Sequence, residues 1–471
     1  MSLKCLFNAA CLFFTLIFSF ASRGGVRHCE NEILLDKELA QQAEVAASRL
    51  RENIHPQDTA PGVIVAGPTR SYPDYFYDWV RDSALVWKTL VKVWDSGLFP
   101  ALRAEIPALA EDFVKAQSVM QRNGAGEPKH NVDLSKYEGE WGRPQNDGPG
   151  LRMQVLTELL DRDLLKGDSI DLALRVIERD RIYVDKAINS PDIEPWEEVQ
   201  GYHLYNRLQI AKGAFDAAQL FSKDGKFAGR YDSALYMRLH NYILPMLQDH
   251  FKNTEFIKPT YRTGRMDSKY TDLDITVLLA HLHADFPTWW EVAVDDSRLL
   301  GSVVALIQSF DDLYPVNQQG LPGTMTGRYP EDVYDGVGFG GGNAWFLSTL
   351  AIGEYFQRLV DHWNFHDQLT IDHGNISQLS YVVNRYYPGV KLYPGSFKRG
   401  QGLSGSPVSF DLVVECFQRF STDQLRRTLF HIADDGSMSE QSSRYDGYMR
   451  GAPNLSWSYG AYLRTYLERI K

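Results

Sequence analysis

A helical apolar period recurs along most of this chain, and it narrows the possible folds more than any other feature. Leu109, Phe113, Ala116 and Met120 share one face, and Leu204, Leu208, Ala211, Phe215 and Ala218 share another, at three-to-four spacing. Similar patterns cover roughly 36 to 53, 79 to 95, 148 to 165, 169 to 188, 230 to 250, 272 to 284, 296 to 312, 343 to 360 and 455 to 469, whereas strand-like runs are few and short. About a dozen amphipathic helices exceed what one bundle can bury, but a ring of antiparallel pairs buries each helix on two neighbours. The expectation is an all-α chain folded as a helical toroid.

No Ser/Thr/Pro tract or low-complexity block interrupts the 471 residues, so one folded unit over 22–471 is expected. The first residues read differently. After Lys4 an apolar run from Ala9 to Phe18, broken only by Thr15, leads to Ser19-Phe20-Ala21, the small-x-small pattern of a secretory signal cleaved near Ala21. That run is too short to span a hydrocarbon core, which needs about 20 apolar residues. The mature chain would be secreted or held in a vacuole or other lumen, with no membrane anchor. It would retain Cys29 and Cys416, for which one disulfide is possible and none is required. Asn375-Ile376-Ser377 and Asn454-Leu455-Ser456 are glycosylation sequences that fit such a route. A net charge of -11, with no Lys/Arg-rich block, argues against a nucleic-acid partner.

The connecting segments are rich in Gly, Pro, Trp, Tyr, Asp and Arg, and loops on a rigid scaffold are where chemistry is usually placed. A neutral sugar presents hydroxyls and apolar ring faces, so its site needs bidentate donors, carboxylate acceptors and aromatic platforms. Tyr75-Phe76-Tyr77-Asp78-Trp79-Val80-Arg81-Asp82 sets aromatic rings beside an Arg-Asp pair, although Asp82 also suits a helix N-terminus. Trp141 to Pro149 joins a ring to polar turn residues, equally consistent with a capped helix start. Trp196-Glu197-Glu198 puts two adjacent carboxylates before Leu204, where they read as an acidic first helical turn. Buried together, they could not both ionise cheaply, and a general acid requires such a held proton. Glu440 lies among small residues ahead of Trp457 and Tyr459, and Arg328 is free to clamp a hydroxyl or to pair with Glu331.

Two other patterns are superficial. Gly336-x-Gly338-x-x-Gly341 with Asp361 downstream resembles a dinucleotide fingerprint, but the preceding Tyr329 to Asp335 is polar and acidic, not a hydrophobic strand. His362 and His366, flanked by Asp361 and Asp367, lack a convincing third ligand and read as a solvated helix end, so no metal is expected.

Taken in order, the segments Pro73 to Ser83, Gly126 to Lys129, Trp141 to Pro149, Trp196 to Val199, Gly327 to Tyr334, Asn343 to Leu350 and Ser437 to Tyr459 closely resemble the catalytic domain of fungal and yeast glucoamylases, glycoside hydrolase family 15. The resemblance implies a toroid of six inner and six outer helices, an (α/α)6 barrel. It implies Glu197 as general acid and Glu440 as general base. It also implies Tyr75, Trp79, Arg81, Asp82, Trp141, Glu198, Arg328 and Trp457 as substrate-binding residues, with no cofactor. The implied reaction is inverting, exo-acting release of β-glucose from α-1,4-glucans such as starch or glycogen, slower on α-1,6 bonds. Carboxyl groups about 6.5 to 9.5 Å apart leave room for the attacking water in such a site. The chain departs from the family pattern at Glu194-Pro195, where Asp-Leu is usual, and at Asn343-Ala344-Trp345, where Asn-Pro-Trp is usual. A glucan-binding toroid without turnover, or a toroid hydrolase of different linkage preference, are the alternatives. A monomer is expected, and the end of the sequence at Lys471 leaves no room for a starch-binding module.

Overall fold

The computed structural model describes residues 21–252, 255–261, 269–286, 293–400 and 409–471, with side chains from residue 33 onward. The secretory pattern in residues 1–20 and the side chain of Cys29 lie outside the described residues.

Six helices close an inner ring. Val80–Ser96 packs on Asp147–Asp161, which packs on Leu204–Phe221; Thr276–Ala284, Phe346–His366 and Ser456–Arg469 continue the circuit, and the last returns to Val80–Ser96. Their burial explains their place: Leu204–Phe221 is buried without interruption from Leu204 to Ala214, polar residues included, so it needs partners on all sides. Gly150 and Gly213 let two ring helices approach backbone to backbone, since a Cβ on Gly213 would lie 2.5 Å from the Gly150 carbonyl oxygen.

An outer set covers the ring: Ala21–Glu52, Pro100–Met120, Asp168–Ala187, Ser233–Leu247, Ser297–Leu313 and Phe410–His431. A short thirteenth helix, Ile376–Tyr386, packs on the last two. Periodicity anticipated eleven of these helices and missed Ile376–Tyr386 and Phe410–His431. The second half of Phe410–His431 buries Ser421, Gln424, Arg427 and Thr428, so its inward face does not read as apolar.

No strand among the described residues exceeds five residues, yet three small sheets set the site. Asp78–Trp79 pairs with Lys129–His130, Ser439–Ser442 lies between Ala344–Trp345 and Met449–Pro453, and Asp192–Ile193 pairs with Gln200–His203. Among the described residues, no helix is long and apolar enough to cross a membrane.

Candidate active site

The inner helices begin at one end of the ring, and a cavity of about 490 Å³ opens among those starts. Trp79, Arg81 and Asp82 come from the head of Val80–Ser96, Trp345 from the residue before Phe346–His366, and Leu455 and Trp457 from the start of Ser456–Arg469. All ten residues singled out from the sequence border this cavity: Tyr75, Trp79, Arg81, Asp82, Trp141, Glu197, Glu198, Arg328, Glu440 and Trp457.

Glu197 is not in a helical first turn. It sits in the hairpin between Asp192–Ile193 and Gln200–His203, with φ +67, and its N–H donates to the Glu194 carbonyl at 2.9 Å. The short strand before Leu204 displaces the acidic pair from the helix. The buried Glu194 carboxylate then closes the turn by accepting the Trp196 N–H at 2.7 Å and the Glu198 N–H at 3.0 Å. A Glu at this position therefore serves the turn directly.

The two adjacent carboxyls are not buried together as the sequence allowed: Glu197 is half-buried, Glu198 is exposed, and each engages separate partners. Three N–H groups converge on Oε1 of Glu197: Trp79 Nε1 at 3.1 Å, Trp141 Nε1 at 2.8 Å and Gln145 Nε2 at 2.9 Å. Glu198 instead accepts Arg328 Nη2 at 2.7 Å and the Tyr329 hydroxyl at 2.6 Å. Arg328 also pairs with Asp332, not with Glu331, whose Oε1 accepts the Thr271 N–H. Behind Glu198 lies buried Lys269. Burial works against its charge, and Asp274, Glu194 and Glu198 override that and raise its pKa.

Glu440 is buried in Ser439–Ser442, where it accepts the Tyr75 hydroxyl at 2.6 Å, and Tyr75 meets the Tyr334 hydroxyl at 3.2 Å. Burial pushes the Glu440 carboxyl up to about 7, opposed by hydrogen bonds from Tyr75 and the Ala452 N–H and by the charge of Arg328. Gly451 leaves room for it, as a Cβ there would lie 2.3 Å from Glu440 Oε2.

The inner end is closed. Arg81 is fixed by Asp147 at 3.0 Å and Gln145 at 2.8 Å, and burial pushes neighbouring Asp82 up to about 6. Trp457 stacks on Trp196 and contacts the His283 ring. Below it is a void of only about 20 Å³, bordered by Glu354 and Arg464, which are paired at 2.8 Å. A chain could enter this pocket but not thread through it.

Sequence reading missed several lining residues, among them Tyr77, Lys129, Tyr137, Tyr334 and Trp345. Lys129 was visible only as part of a matching segment, and its position follows from its pairing with Trp79 across a two-residue ladder. Elsewhere, His362 lies 3.4 Å from Asp295, and no group of three metal-ligating side chains occurs among the described residues. Cys416 is buried, its thiol pushed up to about 12.

Aromatic walls suit the apolar faces of a sugar ring, and two carboxyls in different surroundings suit an enzyme that cleaves carbohydrate by acid–base chemistry. The chain belongs to the glycosyl hydrolases family 15, whose model matches residues 41–467. It is 31% identical to a glucoamylase of Saccharomycopsis fibuligera over 96% of this chain and 93% of that one. It is 28% identical to an intracellular, sporulation-specific glucoamylase of Saccharomyces cerevisiae over 92% and 84%. A solved glucoamylase structure from Saccharomycopsis fibuligera matches with TM-score 0.78 at 29% identity, covering 93% of this chain and 95% of that one.

Proposed function

We propose that this protein is a glucoamylase: an exo-acting, inverting glycoside hydrolase that releases β-D-glucose from the non-reducing ends of α-1,4-glucans, and more slowly from α-1,6 branches. The observation that carries the reading is the blind pocket bordered by Glu197 and Glu440 in contrasting environments. Glu197 is assigned as the acid that protonates the leaving oxygen. Its three N–H donors sit on Oε1, which leaves Oε2 to carry the proton, and they are already in place for the negative charge left after transfer. Glu440 is assigned as the base that draws a proton from water on the opposite ring face. A carboxyl pushed up to about 7 is a stronger base than an ordinary one, and Tyr75 fixes its orientation.

Arg81, Asp82, Arg328, Glu198 and the rings of Tyr75, Trp79, Trp141 and Trp457 are assigned to the glucose units on either side of the bond. Binding energy from the terminal ring then orients that bond for attack. The closed inner end supports action from chain ends only. Both proton transfers are carried by the chain's own carboxyls, so the reaction as assigned uses no cofactor. Residues 22–471 are assigned as one catalytic domain, supported by a ring that draws its helices from both ends of that span. The pattern of residues 1–21 supports entry into the secretory pathway, with the mature chain secreted or lumenal and monomeric.

The test is the product profile from maltoheptaose. Glucose and maltohexaose as the first products support the reading, whereas early internal fragments, or binding without turnover, defeat it.

A further inference from the structure

The antiparallel ladder that sets Trp79 opposite Lys129 puts both side chains on one face. The Lys129 ammonium then lies 3.7 Å from the Trp141 ring centroid, 4.1 Å from Tyr77, 4.2 Å from Tyr137 and 4.5 Å from Trp79. These four rings also touch one another in a closed circuit: Tyr77 on Trp79, Trp79 on Trp141, Trp141 on Tyr137 and Tyr137 on Tyr77, at centroid distances of 6.0, 5.7, 5.8 and 5.2 Å. Lys129 is 3% exposed and borders the pocket, and among the described residues no carboxylate lies within ion-pairing distance of it. Burying an unpaired ammonium is costly, and the ring faces supply the compensating negative potential.

The cage is coupled to the site because two of its four rings are the indoles whose N–H groups meet at Glu197 Oε1. We propose that Lys129 is a positioning residue for the general acid: its caged ammonium locks and polarises the indoles of Trp79 and Trp141, so that their N–H groups stabilise the Glu197 carboxylate formed as the proton leaves. The inference rests on the assignment of Glu197 made above. The charged groups acting on Lys129 are Glu197, Asp74 and Arg143, and burial lowers its own pKa to about 8. Those beside Glu197 are Arg81, at 3.7 Å, and Asp82, whose ionisation Glu197 opposes. A cation behind the donors favours the carboxylate over the neutral acid, so removing it makes Glu197 a weaker acid that keeps its proton to higher pH.

The experiment compares kcat against pH on maltooligosaccharides for wild type, Lys129→Met, Lys129→Arg and Trp141→Phe, with Glu197→Gln as the control for the underlying assignment. Lys129→Met is expected to move the alkaline limb up by about one unit and to lower kcat about tenfold at the optimum. The acid limb should stay in place, because Glu440 is held by Tyr75 and Ala452. Lys129→Arg should restore the limb. Trp141→Phe keeps a ring over the cation but deletes one N–H, and should move the limb in the same direction without altering Lys129. A limb that stays in place in both Lys129→Met and Trp141→Phe, whether kcat is unchanged or reduced equally at every pH, overturns the inference. Activity surviving in Glu197→Gln would instead overturn the assignment on which it rests.

Discussion

Tyr75→Phe isolates one hydrogen bond to the assigned base. The Tyr75 hydroxyl donates to Glu440 Oε1 at 2.6 Å and lowers a pKa that burial has pushed up to about 7. A hydrogen bond to a charged group contributes about 1.5–3 kcal/mol, and one pKa unit corresponds to about 1.4 kcal/mol. Deleting the donor should therefore raise the Glu440 pKa by about one to two units. The sign is fixed because the bond favours the ionised form, so its loss leaves the base protonated over a wider range. In kcat/KM for glucose release, the acid limb should move to higher pH, with about a ten- to hundredfold loss below the limb that shrinks as pH rises. The phenylalanine keeps the ring beside Trp79, 5.6 Å between centroids in the native protein. An acid limb that stays fixed, moves down, or gives way to a loss equal at all pH values would refute this role for Tyr75.

Three further outcomes are expected. Glu197→Gln and Glu440→Gln should each lower kcat by about 10²–10⁴ with little change in melting temperature, measured by glucose release and calorimetry. Burial pushes Asp78, Asp192, Glu194 and Glu440 up to about 7 and Asp82 to about 6. At these five carboxyls the folded chain holds protons that the unfolded chain releases between about pH 4 and 7, so their own contribution to stability falls as pH rises through that window, opposed by His130, His203, His250, His281 and His431, which burial lowers to about 3 to 4. Asp192→Asn removes one of these carboxyls, so the variant's melting temperature should rise relative to wild type between pH 5 and pH 8, and the reverse trend would contradict the assigned shift. Glu354 behaves oppositely: although burial opposes its charge, Arg464 and Arg358 hold it down at about 2. Glu354→Gln should destabilise by about 3–5 kcal/mol in denaturant titration at neutral pH, because it leaves the buried Arg464 guanidinium without a carboxylate while Arg358 keeps Asp285, and a change below about 1 kcal/mol would argue against that network.

The inner helices were legible because each carries apolar residues at three-to-four spacing despite buried polar residues such as Asn206, Gln209 and Lys212, and the pocket was legible because its aromatic and charged residues sit in ordered loop segments. What stayed hidden depended on contacts that spacing does not encode. Glu197 and Glu198 looked like a helical first turn because the strand between them and Leu204 is only four residues long. Arg328 looked able to pair with Glu331, three residues on, but Asp332 takes it at 2.6 Å while Glu198 reaches it from a distant loop. Phe410–His431 was missed because Gln424 spends its buried amide on the carbonyls of Thr324 and Thr349, so a polar residue occupies a core position. Lys129 gave no local sign of its cage, since Tyr77, Trp79, Tyr137 and Trp141 gather only when the two-residue ladder forms.

The central claim is that Glu197 and Glu440 act on opposite faces of the sugar, and the anomer of the first-released glucose tests it most directly. Wild-type protein mixed with a maltooligosaccharide in an NMR tube should show the β-anomer signal rising before mutarotation sets in, and Glu197→Gln and Glu440→Gln should both lose that signal. α-Glucose as the initial product would contradict inversion and the assignment of Glu440 as the base.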